Sequence, residues 1–153
     1  MPSLFKNVLL MLIFLSCFFN EMSGSTTFII DHSPQEGEAE ITGVVRGAVK
    51  DTRWLEAASR QEVQQLLSTY YSGQFLSDLS DSAWNFISVP TDWDYETQAG
   101  QCTVLSQSED QASIQVEILE TNVLSGVVYV HWAEYRLIKE NGAWKIIAVN
   151  CAP

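Results

Sequence analysis

Hydrophobic and polar positions are ordered most regularly from Gly126 to Asn150, where two stretches rich in β-branched and aromatic residues flank Asn141-Gly142. That dipeptide suits the positive φ values of a type I′ turn, so the pattern predicts a two-residue hairpin. Glu140 then faces Ala143, and the pairing runs Ile138 with Lys145, Arg136 with Ile147, Glu134 with Val149 and Trp132 with Cys151. One face carries Tyr129, His131, Tyr135, Leu137, Trp144, Ile146 and Ala148. The other carries Val128, Val130, Trp132, Ile138, Ile147 and Val149, interrupted by Glu134, Arg136 and Lys145. A sheet this apolar on both faces needs cover on both. Upstream, Gln101 to Ser106 and Ala112 to Leu119 read as a second hairpin, turning at Ser108-Glu109-Asp110. Ile114, Val116 and Ile118 alternate there with Ser113, Gln115 and Glu117, one face buried and one wet.

The helical period precedes the strands. Ser59-Arg60-Gln61-Glu62 matches a capping box, and Val63, Leu66, Leu67 and Tyr70 follow as one apolar stripe that Gly73 is expected to end. A second helix is expected within Phe75 to Ile87, capped by Asp78 or Ser80 and stopped by Pro90. Ile41 to Lys50 stays open between helix and strand, because two Gly weaken the first and three Val favour the second. Thr91 to Gly100 reads as an acidic, aromatic loop. The whole is α+β: N-terminal helices, then a four-stranded antiparallel meander.

Residues 1–25 read as a secretory signal, with Lys6 ahead of an apolar run too short to span a bilayer. Cleavage after Ser25 gives a secreted or periplasmic protein. Leu15-Ser16-Cys17 also resembles the end of a bacterial lipoprotein signal, in which Cys17 would carry a lipid and tether the chain to a membrane. An uncleaved anchor is the third option. Residues 26–40 read as a flexible linker, leaving residues 41–153 as the domain.

The chain has 153 residues and a formal net charge of -11. Such an acidic surface is repelled by phosphate backbones, which argues against nucleic-acid binding. Asp92, Asp94 and Glu96 alternate, but the central Gly and distal Glu of a calcium loop are missing, and no Cys/His spacing suggests zinc, so no metal is expected. Removing the signal leaves Cys102 and Cys151. In an oxidising compartment they could pair, while a flat meander would hold them too far apart.

Helices followed by a coiled four-stranded sheet resemble the nuclear transport factor 2-like superfamily, with its cystatin-like cone. Val63 to Gly73, VQQLLSTYYSG, resembles the first helix of that family. Ala133 to Ile147, AEYRLIKENGAWKII, resembles its closing hairpin and is similar to the SnoaL-like, calcium/calmodulin-kinase association and lumazine-binding-like subgroups. The resemblance covers about Ser59 to Asn150. It implies helices packed on a strongly curved sheet and a pocket between them, with Tyr70, Trp84, Tyr129, His131, Tyr135 and Trp144 as pocket residues. It also implies dimers formed through the sheet. Enzymes of the superfamily set a carboxylate or His beside Tyr donors in the cone, which makes His131 or Asp94 the candidate base. No catalytic position of the family aligns here, and no cofactor is implied. The expectation is an exported, non-enzymatic domain that binds a small apolar molecule or a protein partner. The alternative is an isomerase, dehydratase or cyclase working by proton transfer.

Overall fold

The computed structural model describes residues 37–90 and 94–151. In chain order it contains α1 (Glu38–Lys50), a 3-10 turn (Arg53–Glu56), α2 (Arg60–Leu67), α3 (Gly73–Ile87), β1 (Tyr95–Gln107), β2 (Gln111–Asn122), β3 (Val128–Glu140) and β4 (Ala143–Cys151). The four strands form one antiparallel sheet in the order β1-β2-β3-β4, and the helices cover one of its faces.

Ile41 to Lys50 is helical, and its helix begins at Glu38. Ile41, Val45, Ala48 and Val49 make one buried stripe against the sheet, so burial overrides the weak local preference of a Gly- and Val-rich segment. Arg46 ties the helix to β1, donating to the carbonyls of Ala99 at 3.3 Å and Gly100 at 2.9 Å. At the start of α2 the Ser59 hydroxyl accepts from the Glu62 N–H at 3.2 Å, and the Glu62 carboxylate reaches back to the Ala58 N–H at 2.8 Å.

Gly73 does not end that helix. α2 closes at Leu67, where Lys145 donates to the carbonyls of Ser68 and Thr69, at 2.7 and 2.8 Å. Gly73, at φ 64°, opens α3 instead, after Ser72 rather than Asp78 or Ser80. The segment between the two helices is held by β4: Ile146 N–H donates to Tyr70 O at 2.8 Å and Ser72 N–H to Ile146 O at 3.1 Å. This tertiary bond set, absent from any local pattern, moves the break.

The sheet is bent by irregularities. β1 is longer than its apolar pattern shows, since Tyr95 to Ala99 pairs with β2 rather than looping. Two register shifts interrupt that pairing, between Ala99 and Cys102 and between Val104 and Ser106. At the first, Glu117 crosses over Gly100 to accept from the Gln101 N–H at 3.2 Å, a path that any side chain at Gly100 would block. In the closing hairpin the turn is as expected, with Asn141 at φ 52° and Gly142 at φ 82°. The pairing holds from Glu140 with Ala143 to Leu137 with Ile146, then shifts: Arg136 faces Ala148, Tyr135 faces Val149 and Ala133 faces Cys151. The expected partners beyond Ile138 are therefore one residue off. A bulge at Ile147 turns Val149 into the core and accentuates the sheet's curl.

Candidate functional site

Two apolar clusters meet beneath the curl. One joins α1 to the concave face through Ile114, Val116, Ile118, Leu137 and Ile146. The other gathers Trp54, Val63, Leu67 and Ala83 between the 3-10 turn, α2 and α3. Where they fail to close, a cavity of about 60 Å³ remains. Its helical wall is Ala48, Val49, Trp54, Leu55, Leu67, Phe75, Leu79 and Ala83, and its sheet wall is Thr97, Ile118, Tyr135 and Val149. The lining is mostly apolar, with a few polar groups that could orient a guest.

Those groups are distinct in character. Tyr71 and Tyr135 line the cavity, and burial pushes both phenols up, so they stay protonated and offer O–H groups. Asp51 stands at the wall with its carboxylate 2.5 Å from an Arg53 guanidinium nitrogen. That hydrogen-bonded pairing holds the carboxyl below its ordinary range, so Asp51 is a fixed negative charge and a poor proton shuttle.

A second carboxylate lies one rung further along the same concave face. Thr97 and Ile118 line the cavity; their partners across the sheet are Glu120 and His131 respectively. Glu120 is 3% exposed, and its Oε2 lies 3.4 Å from His131 Nε2. Burial raises the Glu120 carboxyl, while a charged His131 pulls it back down. Tyr129 shares this face, and its ring lies 6.4 Å from that of Tyr95, which also lines the cavity. Among the described residues, no group of three or more His, Cys, Asp or Glu side chains converges.

No protein-family model matches the chain, and no curated protein matches it in sequence. Solved structures do. The intermembrane-space region of the chloroplast protein ARC6 aligns with TM-score 0.50 at 14% identity, over 77% of this chain and 98% of that one. A cystatin-like protein of unknown function from Nostoc punctiforme aligns with TM-score 0.50 at 12% identity, over 76% of this chain and 91% of that one. A nuclear transport factor 2-like protein of unknown function from Pseudomonas putida gives TM-score 0.50 at 14% identity, over 76% and 85%. The chain has the nuclear transport factor 2-like fold. At these identities the likeness is one of fold, and the site must be argued from its own residues.

Within that nuclear transport factor 2-like cone, the residues singled out from the sequence lie at different depths. Tyr135 lines the cavity. His131 sits at the next rung, beside Glu120, with Tyr129 as its neighbour on β3. Tyr70 packs its ring against Gly47 of α1. Trp84 joins the helical cluster, and Trp144 is buried at the turn end of the sheet under Lys139, whose Nζ is 5.6 Å from the ring. Asp94 directly precedes β1, and its carbonyl accepts from Val123 N–H at 2.8 Å; Asp92 lies outside the described residues. Cys17 and the whole of residues 1–36 lie outside them too. No disulfide joins Cys102 to Cys151. They stand on opposite edge strands at one rung, with Val116 and Ala133 between them. Desolvation raises the Cys102 thiol.

Glu120 is the residue the sequence pattern hid. It continues the buried series Ile114, Val116, Ile118, and that spacing is the signal that exposes it. Ending the strand at Leu119 leaves it in a loop. Asp51 and Tyr95 carry no such signal, because nothing local places them against a shared space, whereas Tyr71 is legible as one of the Tyr donors of the VQQLLSTYYSG segment.

Proposed function

We propose that this domain binds a small, largely apolar molecule in the cavity between α1, α3 and the concave sheet. The observation that carries the reading is the cavity itself, an apolar space of about 60 Å³ with the phenols of the half-buried Tyr71 and the buried Tyr135 in its wall. A core that closed completely would have no reason to hold two O–H groups against an empty volume. Residues 1–25 support export of the domain, as a soluble protein or through a lipid on Cys17. One structural neighbour is described as an intermembrane-space region, which is compatible with life outside a cytosol.

The test is native mass spectrometry of the exported protein, followed by nuclear magnetic resonance titration with indole as a small apolar probe. Saturable shifts at Leu79, Ala83 and Val149 methyls support the reading. Shifts confined to surface methyls, or none, refute it. A second reading, proton-transfer catalysis, rests on Glu120 beside His131, the cross-strand partners of the cavity-lining Thr97 and Ile118. A raised carboxyl next to an imidazole is suited to take and return a proton. It requires a co-purified guest with an acidic C–H, and proton exchange at that carbon that Glu120→Gln abolishes while binding persists.

A further inference from the structure

One carboxylate is buried in a part of the sheet that supplies no permanent cation. Glu120 is 3% exposed, yet the sequence from Gln61 to Tyr135 contains neither Lys nor Arg. Among the described residues, the cationic neighbour that acts on it is His131. That contact is loose. His131 Nε2 stands 3.4 Å from Oε2, longer than a charge-assisted hydrogen bond, and the His131 side chain is 38% exposed. The pairing also depends on a proton on the imidazole. An ionised carboxylate withdrawn from water is costly unless a cation meets it.

Aromatic rings complete the surroundings. Glu120 stands opposite Thr97 on β1 and Tyr129 on β3, and Tyr95 lies two residues before Thr97 on the same face. Tyr95 and Tyr129 belong to the strands on either side of β2, about 10 Å apart by strand spacing. Their ring centroids are only 6.4 Å apart. The rings therefore lean toward each other over β2, where Glu120 is carried. Their faces, inclined at 49°, offer π density to a cation, and the carboxylate beside them offers charge. The cavity adjoins this group on two sides. Tyr95 and Thr97 line it from β1, and Ile118 lines it two residues before Glu120, about 7 Å along the strand.

We propose that Glu120, Tyr95 and Tyr129 receive the ammonium group of a guest whose apolar body lies in the cavity, so that the domain binds small apolar amines. The inference rests on the cavity reading and names its ligand class; it gives Glu120 the part of an anchor rather than of a base. An ammonium against Glu120 favours the charged carboxylate and offsets the burial that opposes it. The formal net charge of -11 draws cations toward the protein and repels anionic relatives of the guest.

The experiment is nuclear magnetic resonance titration of the intact exported protein at neutral pH with three probes that share one ring system. Indole is the bare ring, tryptamine adds an ammonium on a two-carbon arm, and tryptophol carries a hydroxyl in its place. Tryptamine should shift the Leu79 and Ala83 methyls and bind about tenfold more tightly than tryptophol, the worth of a charge-assisted hydrogen bond. Glu120→Gln should bring the two to parity and leave indole unchanged. Tyr129→Leu, at an exposed ring that the fold can lose, should cut the preference about threefold and tests the same contact should Glu120→Gln fail to fold. Glu96→Gln, exposed on the other face of β1, should leave the preference intact. Indole binding with no preference for tryptamine overturns the inference and leaves the cavity reading standing. No binding of any probe overturns both. A preference that survives Glu120→Gln and Tyr129→Leu, or that falls as far in Glu96→Gln, assigns it to the general negative field and overturns the inference. Tryptamine shifts that spare the Ala83 methyl place the amine on the surface and do the same.

Discussion

Filling the cavity gives the sharpest test of the site, because its sign is in dispute between two accounts of the interior. Ala83 is 1% exposed, stands on α3 and lines the cavity. Ala83→Leu adds three carbons there. A cavity of about 60 Å³ holds about four waters, each needing about 10–15 Å³ of such space, so the larger side chain fits without displacing the wall. Burial of three carbons contributes about 2.4 kcal/mol at about 0.8 kcal/mol each, and freezing the Leu rotamer costs about 0.5–1 kcal/mol. The helix preference hardly changes. The variant should be more stable by about 1–2 kcal/mol. Equilibrium urea unfolding at neutral pH reads this directly, as a higher midpoint at unchanged slope. Indole binding should vanish in the same variant, since filler and guest compete for one space. If the site is instead a closed core, the added carbons overpack it and cost about 1–3 kcal/mol. A lowered midpoint with indole binding intact would refute the reasoning.

Glu120→Gln should alter how stability depends on pH. The native carboxyl is raised by burial, so the folded state holds its proton more tightly than the unfolded chain does. That contribution is complete below the ordinary carboxylate range and is lost as pH rises through the raised native value; each tenfold gain in proton affinity is worth about 1.4 kcal/mol. Urea midpoints of parent and variant should coincide near pH 4 and diverge in favour of Gln toward pH 8; the opposite trend would mean that the His131 partner outweighs burial. Gly47→Ala should destabilise by about 1–3 kcal/mol despite a helix-propensity gain of about 1 kcal/mol. The new Cβ would stand 2.7 Å from Tyr70 Cε1, and thermal unfolding checks whether the ring can move aside. Ser59→Ala removes the acceptor for Glu62 N–H and should cost about 1 kcal/mol in urea, with Ser59→Asp restoring it.

Local chemistry made some elements legible. Asn141-Gly142 specifies its turn because few other dipeptides accept two positive φ values, and the structure shows both. Ser59 and Glu62 specify a helix start, and Ile114, Val116 and Ile118 specify a strand face. Each depends on residues near one another in the chain. The site was less legible. His131 was visible as a rare titratable group, but Glu120 entered only once β2 was seen to continue to Asn122. Asp51 follows α1 and Tyr71 lies between α2 and α3, and only the packing brings them to one wall.

The amino-acid sequence by itself determined the class of the fold, helices on an antiparallel meander, because periodicity and turn preferences act over a few residues. The tertiary structure decided the rest. The bulge at Ile147 leaves the alternation of residue types unbroken, and only the demand that Val149 reach the core selects the shifted register. Gly73 can either end a helix or open one, and the bonds from Ile146 to Tyr70 and Ser72 choose the second. The cavity has no local cause at all: it is the space left where two apolar clusters, each well packed within itself, meet under a curled sheet.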